Sequence, residues 1–484
     1  MRNYDIIKGL FLFFFCSTSA FAQSGSDQKP ERKLTPAEET AAAHYRNPIV
    51  QTCYSTDPAP LNVGDSVLYV FTGHDEARAD FFWMQDWRVY STRDMVNWQD
   101  HGSPLALESF TWADDRAWAS QCIERDGKFY WYICAHSKLS GGMAIGVAVA
   151  DRPEGPYRDA LGHPIYENGS WDHIDPTVWI DNKTGQAWLA WGNPRVYVLE
   201  LERDMIHAKG DVHLVDMTEE GFGAPVGKAR EKGRQYRDSY VEGPWLMQRG
   251  KRWLLLYAAG GVPEHISYSS APSPLGPWKY EGEIMPLGDT GSFTNHCGVA
   301  DFRGRHYFFY HTGHLPGGGG FGRSTSVEEF EYTKDNMFPT ILPTRSGVSP
   351  LSTFNPFRHV EAETMAYSYG LESAPLPETG QVYLTSIYDG DWLRLDNVDL
   401  GSGAASLTVQ VASGLRGGRI ELHADAIDGP LLATVDVTGT GGWEQWKSFT
   451  APVSNATNAV HDLYFVFRGR KGVQLFNFDW WQMK

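Results

Sequence analysis

The chain predicts an all-β protein in two parts, a repeat-built β-propeller followed by a β-sandwich. Three observations point there. Aromatic residues make up 14% of the 484 residues, with 18 Trp, a composition that suits strands or surfaces that stack on flat ligands. A glycine-bearing turn followed by an aromatic strand recurs five times between residues 57 and 330. After residue 357 that recurrence stops and short alternating strands take over.

In chain order, the first element is an export signal over residues 1–22. Arg2 and Lys8 supply positive charge, Gly9 to Phe15 form a short apolar core, and Ala20-Phe21-Ala22 fits a small-x-small cleavage site before Gln23. The apolar run is too short to span a bilayer, and no other membrane segment stands out. A secreted or periplasmic protein is expected. Cys16 invites a lipoprotein reading, but Phe13-Phe14-Phe15 before it fits that poorly. Residues 23–45 are polar and charged and read as a flexible leader. Cys53, Cys122, Cys134 and Cys297 follow at irregular spacing, without a CxxC or metal pattern, and read as buried free thiols. The net charge of −17 argues against nucleic acid or an anionic membrane as partner.

Residues 46–345 hold the repeat. Its hairpin signals are GDSVLYVFTGH (64–74), DGKFYWYICAH (126–136), TGQAWLAWGN (184–193), RGKRWLLLYAAG (249–260) and RGRHYFFYHTG (303–313). Each is followed by another strand, and the spacing of about sixty residues is near the long end for a four-stranded blade. Five units predict a five-bladed β-propeller.

Upstream of each hairpin turn the same place carries a polar or aromatic residue: Asp57, Trp118, Asp175, Glu242 and His296. The first strand of a propeller blade lines the central channel, so these positions converge on one axis. Singly, each has a plain explanation. Asp57 and Asp175 precede proline and suit turns, Glu242 suits a strand edge, and Trp118 and His296 suit a core. Their common phase in the repeat makes a site the better account. Two carboxyls across a sugar ring, one protonated and one ionised, are the equipment for cleaving a glycosidic bond. Glu242, flanked by Tyr240 and Trp245, suits the general acid. Asp57, in the polar STDPAP stretch, suits the base that holds water. Asp175 suits a tuning role, because a third carboxylate raises the pKa of the acid by repulsion.

The stretches NPIVQTCYSTDPAP (47–60), HIDPTVWIDNKTGQAWLAWGN (173–193), YVEGPWLMQRGKRWLLLYAAGG (240–261) and NHCGVADFRGRHYFFYHTG (295–313) carry a resemblance to family 43 glycoside hydrolases. These are five-bladed propeller enzymes acting on arabinose- and xylose-containing glycans. The resemblance implies an inverting hydrolysis with Asp57 as general base, Glu242 as general acid and Asp175 as pKa modulator and orienter. It implies substrate contacts from Trp118, His296 and Arg323, and an axial calcium beside His296, held directly or through water. No cofactor is implied for catalysis; calcium is structural.

Residues 346–357 read as a linker, and residues 358–484 as seven or eight strands of a β-sandwich of jelly-roll type. VEAE (360–363), DGDWLRL (389–395), GGWEQW (441–446) and LFNFDWWQ (475–482) resemble family 6 carbohydrate-binding modules. That resemblance implies a structural calcium at Glu361, Glu363 and Asp479, and sugar binding by Trp446 and Asn477. The aromatic partner expected opposite Trp446 falls near Ser386, with Tyr388 a shifted substitute.

The expected activity is removal of α-L-arabinofuranosyl side chains from arabinoxylan or a related plant cell-wall polysaccharide, by a monomer. The alternatives are a β-xylosidase, an endo-arabinanase, and a sugar-binding propeller without catalysis. Against the last stands the presence of a proton donor and a base together.

Overall fold

The computed structural model describes residues 44–225, 238–376, 379–454 and 459–484. The expected signal segment with Cys16, and the leader up to residue 43, lie outside the described residues.

Strands carry the structure, so the all-β expectation holds. Five antiparallel sheets follow one another in chain order. The first holds Tyr54–Val63, Val67–Asp75, Asp86–Thr92 and Trp98–Asp100; the second is built on Ser120–Arg125, Lys128–Ser137 and Met143–Ala150. The third holds Thr177–Ile180, Ala187–Trp191, Tyr197–Leu201 and Ala208–Leu214; the fourth Tyr240–Arg249, Arg252–Ala259, His265–Ala271 and Lys279–Met285. The fifth holds Gly298–Phe302, Arg305–Thr312 and Ser324–Phe330. All five predicted hairpins are present. Two of them turn on a two-residue loop in which both residues take positive φ, Asp126-Gly127 (54° and 76°) and Arg303-Gly304 (49° and 76°). Such a pair makes the turn whose twist matches a β-hairpin.

The first strands of successive sheets lie side by side. Thr177 Oγ1 donates to Gln121 Oε1 at 2.7 Å, and Leu246 N donates to Thr177 Oγ1 at 2.9 Å. Gly298 abuts Pro58, whose carbonyl leaves 2.5 Å for a β-carbon there, so the fifth sheet closes tightly on the first. The start of the described chain fastens the last sheet: Ile49 N donates to Thr325 O at 2.8 Å and Asn47 Nδ2 to Val327 O at 2.9 Å. The second strands bring the aromatic rows inside, with Phe71, Trp131 and Phe308 fully buried between sheets.

Residues after 357 form two further sheets that face each other. One is centred on Asn477–Met483 and Ser406–Ala412, the other on Trp392–Asp399, Val460–Arg468 and Gly417–Ala424. Leu407, Val409, Phe465, Phe478 and Trp481 fill the space between them. The four cysteines among the described residues are free, and Cys122, Cys134 and Cys297 are buried.

Residues 346–357 do not hang free. Val348 and Phe354 are buried, Leu351 N donates to Asp94 O at 2.9 Å, and Phe354 bridges to Val398. Thr364–Met365 pairs with Trp98–Asp100 and becomes the outermost strand of the first sheet. Beside it, buried Asp396 receives Arg46 and Arg394, while its backbone exchanges two hydrogen bonds with the Asn97 amide at 2.8 and 2.9 Å.

Candidate active site

Each of the three acids stands where its strand leaves regular geometry. Asp57 lies in Tyr54–Val63, whose ladder is interrupted between Thr56 and Ala59, and it takes φ +51°. Asp175 takes φ +59° two residues ahead of Thr177–Ile180. Glu242 sits between two register shifts in Tyr240–Arg249. After it Gly243 takes φ +61°, where a β-carbon would stand 3.0 Å from His296 Nδ1. A bulge re-aims one side chain while the strand continues, and aspartate tolerates the left-handed region better than most residues. That is how an acid leaves an apolar run without entering the core.

Asp57 is ringed by donors. Its Oδ1 lies 3.0 Å from Thr56 Oγ1, 3.2 Å from His311 Nδ1, 3.3 Å from Arg323 Nη1 and 3.9 Å from His296 Nδ1. Burial alone would raise its proton affinity, but the Arg323 guanidinium and His311 outweigh it and hold the carboxyl well below the usual range. The His311 ring bridges the Thr294 carbonyl, 3.0 Å from Nε2, and Asp57, 3.2 Å from Nδ1. Arg323 is fixed in turn by Asp75, which takes Nε and Nη2 at 2.9 and 2.8 Å.

Asp175 Oδ2 accepts the Gly243 N–H at 3.0 Å. Burial, then the charges of Glu242 and Asp57, push Asp175 well above the carboxylate range. Glu242 accepts from the Asn193 amide and keeps part of its surface open. Burial raises its proton affinity and the Asp57 charge adds to that. So one carboxyl is held well below the usual range and its neighbours are raised, which is the separation acid–base chemistry needs.

Trp118 stands half-buried at the rim, its indole N–H spent on Phe82 O at 3.0 Å. Phe82 packs edge-on against it, Phe293 and Phe321 pack edge-on against Phe82, Phe81 lies tilted on Phe321, and Phe82 also lies under Arg323. Arg323 was expected to face substrate; the structure places its guanidinium on Asp75 and the base. Burial lowers His296 to about 4. Among the described residues no three His, Cys, Asp or Glu side chains gather closely enough to hold a metal. Asp57 stands 3.9 Å from His296 and is already held by Arg323, so an ion beside His296 would be held by the imidazole and water.

In the second part, Trp446 is half-buried with Tyr383 edge-on at 5.4 Å. Asn477 is buried, and its amide serves Thr385 at 2.8 Å, Gln474 at 3.2 Å and Trp443 O at 2.8 Å. Ser386 donates to Glu372 at 2.6 Å. Ser386 offers no ring opposite Trp446, and among the described residues the ring paired with Trp446 is Tyr383, which meets it edge-on and not in parallel. Glu363 is buried with Oε2 unpartnered, and burial together with Glu361 pushes Asp479 up to about 6.

Sequence reasoning missed three residues: Asp75, His311 and Asn193. Asp75 and His311 close the hairpin stretches YVFTGHDE and RGRHYFFYHTG, and their place at strand ends near the acids was the available signal.

Three carboxyls from the first, third and fourth sheets, one held low and two raised, are the equipment of a glycoside hydrolase. The chain belongs to glycosyl hydrolases family 43, whose family model matches residues 45–338, and the model of carbohydrate binding module family 6 matches residues 361–484. It is 30% identical to the arabinoxylan arabinofuranohydrolase of Bacillus subtilis (strain 168), over 92% of this chain and 93% of that one. It is 29% identical to the arabinoxylan arabinofuranohydrolase of Paenibacillus polymyxa, over 90% and 74%. Among solved structures, the family 43 arabinoxylan arabinofuranohydrolase from Bacillus subtilis, in complex with cellotetraose, superposes with a TM-score of 0.76 at 28% identity, covering 91% of this chain and 98% of that one.

Proposed function

We propose that the protein is an exported, inverting hydrolase that removes α-L-arabinofuranosyl side chains from arabinoxylan. The likeness to the Bacillus subtilis arabinoxylan arabinofuranohydrolase, extending over both parts of the chain, carries the substrate assignment. The five sheets in sequence support a five-bladed propeller, and the facing pair after residue 357 supports a jelly-roll module. In this reading Asp57 takes a proton from water and Glu242 gives one to the glycosidic oxygen. Asp175 orients Glu242 through the Gly243 amide, while burial and the Asp57 charge raise the proton affinity of Glu242. Water attacks from the face opposite the leaving group, so the anomeric configuration inverts.

Product analysis on arabinoxylan, with Glu242→Gln as the blank, tests the reading. Free arabinose alone is expected. Xylose or short xylo-oligomers would move the assignment to a β-xylosidase, and short arabino-oligomers from linear arabinan to an endo-arabinanase. No product at all would favour a binding protein. Export is tested separately: the secreted protein should begin at Gln23.

Calcium is proposed for the second module, with backbone carbonyls and water completing a shell that Glu361, Glu363 and Asp479 stand too far apart to close by themselves. Glu361, Glu363 and Asp479 repel one another, and the unpartnered buried oxygen of Glu363 lacks a cation or donor. Chelator should lower the melting temperature of the whole protein and added calcium restore it. An identical melt in chelator would remove the ion.

A further inference from the structure

A cleft of about 410 Å³ opens where the two parts of the chain meet. It lies at the end of the first sheet remote from the acids. Asp57 follows the Thr56–Gly73 pairing, whereas the cleft is reached at the other end of that ladder, where Val63 pairs with Val67. From Asp57 to Val63 the strand advances ~20 Å. Arg93 follows Thr92, which pairs with Leu68 at the far end. Arg303 comes from the fifth sheet and rests on the turn after Val63, with Nε and Nη2 on the Asp65 and Ser66 carbonyls at 3.5 and 3.4 Å. Arg358 comes from the second part, just ahead of Val360–Glu361.

These three arginines line the cleft, and all are exposed. Among the described residues none of them forms a salt bridge. Arg358 lies over the Phe354 ring at 5.2 Å, which steadies its guanidinium without neutralising it. Two acids also line the cleft. Asp94 is buried and its carboxylate is spent on Thr92, Val96 and Asn97; Glu361 lies 3.2 Å from His359. Just outside, Asp65 accepts the Arg303 backbone N–H at 2.6 Å. A local excess of positive charge remains on a chain whose formal net charge is −17. At physiological salt charge is felt over ~8 Å, so a small ligand seated here meets the arginines and not the distant acids.

The cleft also offers neutral groups. Gln99 and Thr353 line it with side chains that make no hydrogen bond to the described residues. Asn355 uses its Oδ1 on the Phe357 N–H at 2.9 Å and keeps its amide N–H groups for other partners. The volume falls in the ~300–1,000 Å³ range of small-molecule sites. Guanidinium groups match carboxylate oxygens in pairs, and amides and hydroxyls match sugar hydroxyls.

We infer that this cleft is a second carbohydrate site, which takes a uronic acid branch of an otherwise neutral polysaccharide. The carboxylate sits among Arg93, Arg303 and Arg358, and the ring hydroxyls meet Gln99, Thr353 and Asn355. The inference goes beyond the hydrolysis at Asp57 and Glu242, and rests on the proposed function only for the class of polymer. A densely acidic chain would run on from the cleft over a surface of net negative charge, whereas a single uronate meets the arginines alone. With the acids on the other face, a bound branch anchors the enzyme to its polymer while the active site stays open.

The test is calorimetric binding to the full chain carrying Glu242→Gln, which leaves the ligand uncut, with calcium present throughout. The probes are a xylo-oligosaccharide bearing one glucuronic acid, the neutral oligosaccharide of the same length, an oligogalacturonate and inorganic phosphate. The glucuronic acid should tighten binding ~10-fold or more over the neutral oligosaccharide. Adding Arg93→Gln and Arg358→Gln together should abolish that preference. The same two substitutions beside an intact Glu242 should leave turnover of a nitrophenyl arabinoside unchanged. Should the pair fail to fold, as judged by its melt, each substitution alone should lose part of the preference. Equal binding of the acidic and neutral oligosaccharides overturns the inference, and so does a preference that survives the loss of both arginines. Oligogalacturonate or phosphate bound as tightly as the branched oligosaccharide also overturns it, because the cleft would then read charge and not a uronate branch. A parent enzyme that binds the uronate through these arginines but releases no arabinose overturns the hydrolase reading and leaves this one standing.

Discussion

At Asp57 burial and charge oppose each other, and charge wins because Arg323 and His311 lie within 3.3 Å of one oxygen. The acid limb of activity should therefore lie below the ordinary aspartate value, 3.8, since the base is still ionised there. Replacing the guanidinium by a neutral amide, Arg323→Gln, leaves burial dominant, so the limb should move upward in a kcat/KM profile. An unmoved limb would dissociate Arg323 from the base. Glu242→Gln should cost ~10²–10⁴-fold on arabinoxylan and far less on nitrophenyl substrates, whose leaving group needs no proton. Asp57→Asn should lose activity on both; equal losses for Glu242→Gln on the two substrates would count against the acid assignment. The positions of Asp57, Asp175 and Glu242 were legible because they share a phase in a fivefold repeat. Asp75 was not, because its partner Arg323 lies 248 residues away and no local pattern links them. For the same reason the pairing of Arg323 with two carboxylates was hidden.

Hairpins are local, so turn pairs such as Asp126-Gly127 announced theirs before any fold was known. The bulges that aim the acids were partly legible, since Asp57 and Asp175 each precede proline and Glu242 precedes Gly243. The strand Thr364–Met365 was not, because two residues show no alternation and their ladder partner lies in a different part of the chain. The polar knot beside it was equally hidden, although it is the costliest element of the seam to break. Asp396 is buried, and so is Arg394, with Arg46 on the other side of the same carboxylate. Asp396→Ala leaves buried positive charge without its counter-ion and should destabilise the protein by roughly 3–5 kcal/mol. Denaturant unfolding measures this. A loss well under 1 kcal/mol would mean that the pair is screened by water like a surface bridge.

The two parts share backbone ladders, buried ions and a packed connector, so on the scale of the whole molecule the second part does more than tether a sugar-binding surface. Ser373 donates to Asp100 at 2.8 Å and receives Arg88 Nη2 at 2.9 Å, and Arg394 donates to the Tyr45 carbonyl at 2.7 Å. Deleting residues 356–484 would uncover the edge of Trp98–Asp100 and strand Arg46 without Asp396. An unpaired edge is a template for aggregation. The truncated protein should therefore be recovered mainly as aggregate, and any soluble fraction should melt well below the full chain. The Trp446 face offers no parallel aromatic partner and the Asn477 amide already serves three protein groups, so loss of sugar binding should be the smaller consequence. The measurement is soluble yield and melting temperature of the truncated chain, together with its turnover of a nitrophenyl arabinoside and its retention on insoluble xylan. A soluble, fully active truncation that has lost only retention would mean that the seam is incidental and the module binds sugar independently.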